Sequence, residues 1–298
     1  MAVKIITDGA CDLETEFLKL HDVLCVPFYV SFDGEIYKKE KIEIGVREFY
    51  QKMIDEPEVF PRTSLPAVND YIDIFEPLVK AGDEVICICF TSHLSGSFNS
   101  ASNAKMIIEE DYPEAKISVI NSYCATVTQA SFVTEAVKMR DEGFSYENIV
   151  ECLEATKLNA KIFFTVGNLD YLIHGGRIGK MAGKAGNVLN LKPLIILDKG
   201  EVTSGGIARS RKKSLLKVLD IMKDFFTKKG NDINDYVINV GYGYDEAEGH
   251  AFHQKVQELA KELGYQEEIP ILQIGATIAV HTGPHAIGIG VTQRYKAL

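Results

Sequence analysis

The sequence predicts an α/β protein: a mostly parallel sheet domain over residues 1–157, then an α+β domain over residues 158–298, with a cleft shared between them. Three observations lead there. In the first half, short Ile- and Val-rich runs alternate with helical patterns, and the runs are almost continuously apolar, as in strands covered on both faces. In the second half, two strand-like runs flank the dipeptide Lys199–Gly200, which brings in an antiparallel hairpin. No internal repeat or long linker separates the halves, so they should pack closely.

Taken in order, residues 3–7, 23–28, 84–90 and 116–120 read as strands bounded by turn residues. Ile72, Phe75, Leu78 and Val79 mark the apolar face of one helix, and Phe132, Val133, Ala136 and Val137 that of another. Residues 140–159 are charged and helical, which suits a bridge between domains. Residues 161–166 form the next strand, followed by a Gly-rich basic stretch, HGGRIGKMAGKAGN. Residues 194–197 and 201–208 make the hairpin. A helix striped by Leu215, Leu219, Met222 and Phe226 follows, then a strand at 236–240. A helix aligned on Phe252, Val256, Leu259 and Leu263 precedes the last strands, near 269–274 and 287–292.

With 298 residues the chain can bury a large core without disulfides. Hydrophobic content of 46% and charged content of 25% exclude disordered and low-complexity classes. The net charge of −10 argues against a nucleic-acid binder, which needs a cationic face. No apolar run approaches the roughly 20 residues of a membrane span, and no leader is evident at the N-terminus, so a cytoplasmic protein without stable membrane insertion is expected. Its six cysteines contain no C-x-x-C. Cys87 and Cys89 share one strand face without two further ligands nearby, so no metal site is expected.

Several clusters could carry chemistry. TDGACDL, residues 7–13, reads as a turn in which Asp12 caps the following helix. In RTSLP, residues 62–66, Thr63 and Ser64 stand before a proline-fixed turn, where capping and ligand contact are both open. TSHLSGSFNSA, residues 91–101, follows a buried strand and opens a helix. Backbone N–H groups and the helix dipole would face an anion there, at the carboxyl end of a parallel strand. Ser95, Gly96 and Ser97 form the core of that site: the glycine allows close approach and the serines donate. Ser95 as a hydrolase nucleophile is the rival reading, although G-x-S-x-G is absent and His281 has no evident acid partner. GGRIGKMAGK departs from a nucleotide phosphate loop in spacing and lacks the hydroxyl after lysine. Arg177, Lys180 and Lys184 could still meet an anion. Arg209, Arg211, Lys212 and Lys213 crowd a helix start where the dipole disfavours cations, which hints at an acidic partner. In HTGPHA, residues 281–286, a tight turn fixes the direction of His281, which could face Ser95 across the cleft.

TDGACDL, TSLP, TSHLSGSF, NLDYLIHGGRIG with NLKPLI, and HTGP run in this order from Thr7 to Pro284. Together they resemble the DegV family of bacterial fatty-acid-binding proteins. The resemblance implies a Rossmann-like first domain and a long-chain fatty acid, the only ligand and no other cofactor, in a tunnel between the domains. It also implies presentation of the carboxylate to a separate, acidic, ATP-dependent fatty acid kinase subunit. The acyl phosphate so formed feeds phospholipid synthesis, and the protein itself is no enzyme. By position, Thr63 and Ser95 match the carboxylate-binding hydroxyls and His281 a histidine beside them. Gly96 and Ser97 complete the serine turn, Arg177 and Thr282 are candidate anion or phosphate contacts, and Arg209, Arg211 and Lys212 candidate docking cations. Three departures stand out. Gly9–Ala10 occupies a place where Ser-Thr is common, TSLPA stands for TSQPS, and HTGPH for HTGPG, the last adding His285 near the site. A small-ligand-binding regulator remains the other alternative.

Overall fold

The computed structural model describes residues 2–180 and 191–298. The chain starts with β1 (Val3–Asp8), α1 (Thr15–Leu20), β2 (Val23–Val26), β3 (Tyr29–Ser31), β4 (Lys38–Lys39), α2 (Val46–Asp55), β5 (Arg62–Ser64) and α3 (Val68–Lys80). There follow β6 (Glu84–Cys89), α4 (Ser97–Asp111), β7 (Ile117–Asn121), α5 (Thr126–Asp141) and α6 (Tyr146–Thr156). Strands β2, β1, β6 and β7 lie side by side in that order, all parallel. Alternate residues explain why each strand is apolar throughout. Ile6, Val85, Cys87 and Cys89 face α3 and α4, while Ile5, Ile86, Ile88 and Ile120 face α5 and α6. Cys87 and Cys89 are buried free thiols in that core.

The second half contains β8 (Lys161–Thr165), α7 (Asp170–His174), β9 (Lys192–Asp198), β10 (Glu201–Ala208), α8 (Arg211–Thr227), β11 (Tyr236–Tyr242), α9 (Glu246–Glu262), β12 (Ile271–Gln273), α10 (Ala276–Thr282) and β13 (Ile287–Gln293). Its sheet runs β10-β9-β8-β13-β11-β12, antiparallel except for β11 with β12. Lys199 and Gly200 both take positive φ, 51° and 78°, as a tight hairpin turn demands. Helices α8 and α9 cover one face through Val218, Met222, Phe252 and Val256.

The other face of this sheet packs on α5, which therefore lies between the two sheets. A Cβ on Gly290 would come within 2.6 Å of Val127 Cγ2, so the glycine lets the helix settle onto β13. Asn239 donates to the Val127 carbonyl at 3.2 Å and to Ser131 Oγ at 2.8 Å. Helix α5 is buried on nearly every side, not on the single stripe that Phe132, Val133, Ala136 and Val137 suggested.

Other expectations are also corrected. A three-stranded antiparallel sheet, β4-β3-β5, was not anticipated, because strands of two or three residues show no periodicity. Asp12 does not cap α1, whose N-cap is Glu14. It sits at φ 55° after a short 3-10 turn and reaches across to the second domain. Helix α6 is no free bridge, since Ile149 and Leu153 lie in the first domain's core. Tyr295, near the C-terminus, returns to that same core.

Candidate functional site

A cavity of about 230 Å³ lies where the domains meet. Its walls are mainly apolar: Phe28, Phe90 and Val127 from the first domain, and Ile162, Phe164 and Ile278 from the second. The polar groups gather around Thr63, Ser95, Arg177 and His281.

Each of these four is placed by a different element. Thr63 sits on β5, opposite Val30, so the strand pairing and not a helix cap sets its direction. At the start of α3 the side-chain contact comes from Asp70, which accepts from the N–H of the N-cap residue Ala67 at 2.7 Å. Thr63 lines the cavity instead. His281 lies in the last turn of α10, with Nε2 3.1 Å from Thr63 Oγ1. Its Nδ1 is buried without a hydrogen bond and faces Gly175, where a Cβ would come within 2.1 Å. Thr63 can either donate to or accept from Nε2, but a proton on Nδ1 would be a buried N–H without an acceptor. That costs more than an unpaired lone pair, so the tautomer protonated at Nε2 is favoured. That tautomer donates to Thr63 and leaves the Thr63 hydroxyl proton available to an anion.

Ser95 occupies the turn between β6 and α4. Its Oγ accepts from Ser97 N at 3.2 Å, leaving its own proton free to donate. The turn is anchored from behind by Asp8, at the carboxyl end of β1 and fully buried. Asp8 accepts from Phe90 N at 2.8 Å, Ser97 Oγ at 2.7 Å, Gln129 Nε2 at 2.9 Å and Ala10 N at 3.3 Å. Burial pushes the Asp8 carboxyl above the usual range, and these donors pull it back. Ser97 is thus committed to Asp8 and Tyr71 and does not line the cavity. Gly96, the N-cap of α4, does not line it either; it lies against Leu65, where a Cβ would stand 3.3 Å from Cδ2.

Arg177 does reach the cavity, held by the Leu94 carbonyl at 3.1 Å and the Gly175 carbonyl at 2.7 Å. Lys180 instead pairs with Glu201, and Lys184 lies outside the described residues. Thr282 lines the wall, but its hydroxyl donates to the Ile278 carbonyl at 3.1 Å. His285 is exposed, with its ring beside Gly167 and outside this cavity; desolvation and then Arg211 push its pKa down. Among the cations expected at a docking surface, Arg209 and Lys212 are exposed, whereas Arg211 makes a two-pronged ion pair with Glu248, 2.9 Å at Nε. Arg211 is therefore no free cation. No cluster of metal-ligating side chains occurs among the described residues, and no described helix is long and apolar enough to cross a membrane.

Burial, with Arg177 second, pushes the His281 pKa from 6.5 down to about 4. Its neutral form is thus favoured by folding. The associated stability is complete above pH 6.5 and disappears as pH falls towards 4, a total of about 3 kcal/mol. A His281→Gln variant is expected to lose this part of the acid sensitivity. Thermal melts of both proteins between those pH values check it, and parallel curves would refute it.

Residues 2–294 match the model of the DegV family COG1307, described as uncharacterised protein. A DegV domain-containing protein of Clostridium acetobutylicum is 34% identical, covering 96% of this chain and 97% of its own. Among solved structures, a stearic-acid-binding protein from Eubacterium ventriosum is 44% identical, with a TM-score of 0.93 and full coverage of both chains. A fatty-acid-binding DegV family protein from Thermus thermophilus is 29% identical, with a TM-score of 0.86 and coverage of 98% of this chain and 100% of its own. Motifs, two-domain fold and whole-length matches agree, and the chain belongs to the DegV family.

Proposed function

We propose that this protein binds a long-chain fatty acid in the cavity between its domains. The acid's carboxylate sits at Thr63, Ser95, Arg177 and His281, and its chain lies along the apolar walls. The observation that carries this reading is the arrangement of one apolar cavity with its polar donors gathered together. Burying each methylene contributes about 0.8 kcal/mol, so a sixteen-carbon chain offers on the order of 11 kcal/mol gross. An unpaired buried carboxylate would offset much of that gain. Two hydroxyls with free protons meet this cost together with the Arg177 guanidinium, which two peptide carbonyls hold in place through Nε and Nη1. The fatty acids bound by the relatives from Eubacterium ventriosum and Thermus thermophilus support the same reading.

The finer part of the proposal is that the carboxylate is presented to a separate ATP-dependent kinase for acyl-phosphate formation feeding phospholipid synthesis. Arg209 and Lys212 are exposed and would supply charge for an acidic partner. The Ser95 esterase reading has less support, because His281 is engaged with Thr63 and its Nδ1 meets no orienting carboxylate.

Mass spectrometry of lipid extracted from the purified protein tests the main reading. A long-chain fatty acid is expected, and a polar ligand in its place would overturn it. In the Thr63→Ala, Ser95→Ala double variant two hydrogen bonds to a charged acceptor are lost, each worth about 1.5–3 kcal/mol. Lipid retention should weaken and acyl-phosphate formation with added kinase should cease.

A further inference from the structure

Helix α10 carries His281 at one end, and at the other it is held by two buried carboxylates from the first domain. Glu40 accepts from Ala276 N at 2.7 Å, Thr277 N at 3.0 Å and the Thr277 hydroxyl. Asp12 accepts from Gly275 N at 2.9 Å. Both side chains are almost wholly inaccessible, at 3% and 2% exposure. Gly275 makes room for them, since a Cβ there would lie 2.5 Å from Glu40 Oε1 and 2.9 Å from Asp12 Oδ1. The neighbouring Lys41, in the left-handed region at φ 63°, is turned inward with Nζ on the Leu13 carbonyl at 2.8 Å.

A seven-residue helix needs one neutral cap, such as Ser or Asn, for local stability. Burying two carboxylates for that purpose is costly, so the arrangement exceeds what capping alone requires. What it adds is a fixed position across the domain boundary. From this clamp the helix runs along the cavity wall through Thr277 and Ile278 to His281, about 9 Å of rise at 1.5 Å per residue. There it meets the first domain again, at Thr63. A small pivot or slip at the helix start would displace the imidazole from its partner.

We infer that Glu40, assisted by Asp12, is a positioning residue for the head-group site: it pins the start of α10 to the first domain and so sets His281 against Thr63. The inference rests on the fatty-acid reading only for its binding consequence. Two readouts separate them: the pH titration of the His281 ring by NMR, which needs no ligand, and the affinity for the fluorescent fatty acid cis-parinaric acid.

Glu40→Ala is expected to move the His281 titration up towards the ordinary imidazole range and to weaken cis-parinaric acid binding about tenfold. Glu40→Gln keeps the length, but its NH2 group must face either Ala276 N or the Thr277 donors, so it should recover only part of both. Glu40→Asp keeps the charge but withdraws it by one methylene, and should reproduce the alanine effects in a variant that folds readily. Leu153→Ala, buried in the first domain's core away from the cavity, should lose stability and leave both readouts unchanged. Wild-type behaviour of Glu40→Ala or Glu40→Asp in both readouts would overturn the inference, as would equal weakening in Leu153→Ala. Should the wild-type protein not bind the probe, the fatty-acid reading fails, and the His281 titration alone decides on the clamp.

Discussion

Replacing Asp8 by alanine is expected to destabilise the protein by about 3–5 kcal/mol and to lower its melting temperature by roughly 10 °C. The effect arises because the carboxylate is fully buried and serves four donors at once, among them Phe90 N at 2.8 Å and Ser97 Oγ at 2.7 Å. Alanine leaves those donors buried and unpaired, each costing about 1–3 kcal/mol before relaxation. Asparagine preserves the shape, but its NH2 group must face either Gln129 Nε2 or the Phe90 and Ser97 donors. Asp8→Asn should therefore recover only part of the loss. The same hub holds the turn that carries Ser95, so fatty-acid binding should weaken in variants that still fold. Calorimetry of the three proteins checks the stability claim, and a melting temperature within about 2 °C of wild type for Asp8→Ala would refute it.

Asp8 also illustrates how far the fold and the site could be read from the chain. The regular strands were legible because their Ile- and Val-rich runs are bounded by turn residues, and observed ends differ from expectation by a few residues at most. Thr63, Ser95 and His281 were legible through their motifs, and the three do line one cavity. Asp8 was read as part of a turn because its partners, Phe90, Ser97 and Gln129, lie 82 to 121 residues away. Ser97 failed for the same reason: hydroxyls clustered in sequence look equivalent until a buried acceptor takes one of them. Helix α5 shows no dominant stripe because it is covered by both sheets, a tertiary fact that a helical period does not encode. Glu40 carried no local signal at all, since its donors are 236 and 237 residues distant.

Gly175 supplies the sharpest test of the head-group geometry. Its φ of −75° is open to any residue, so backbone conformation does not require glycine there. The His281 ring does, because an added Cβ would fall 2.1 Å from Nδ1 and 3.0 Å from the Tyr171 carbonyl oxygen. The carbonyl belongs to the helix backbone and cannot yield cheaply, so the imidazole must move. Moving it breaks the contact with Thr63 and releases the Thr63 hydroxyl from its fixed direction. Gly175→Ala is thus expected to cost about 1–3 kcal/mol of stability through overpacking. It should also weaken cis-parinaric acid binding by roughly tenfold to a hundredfold, the worth of one hydrogen bond to a charged acceptor. Gly45→Ala is the control, since nothing lies within 4 Å of its added Cβ and its φ is −76°. That variant should bind like wild type. If Gly175→Ala binds equally well although its His281 titration shifts, His281 does not hold the head group and the site must be drawn around Thr63, Ser95 and Arg177. An unshifted titration with wild-type binding would refute the displacement of the ring.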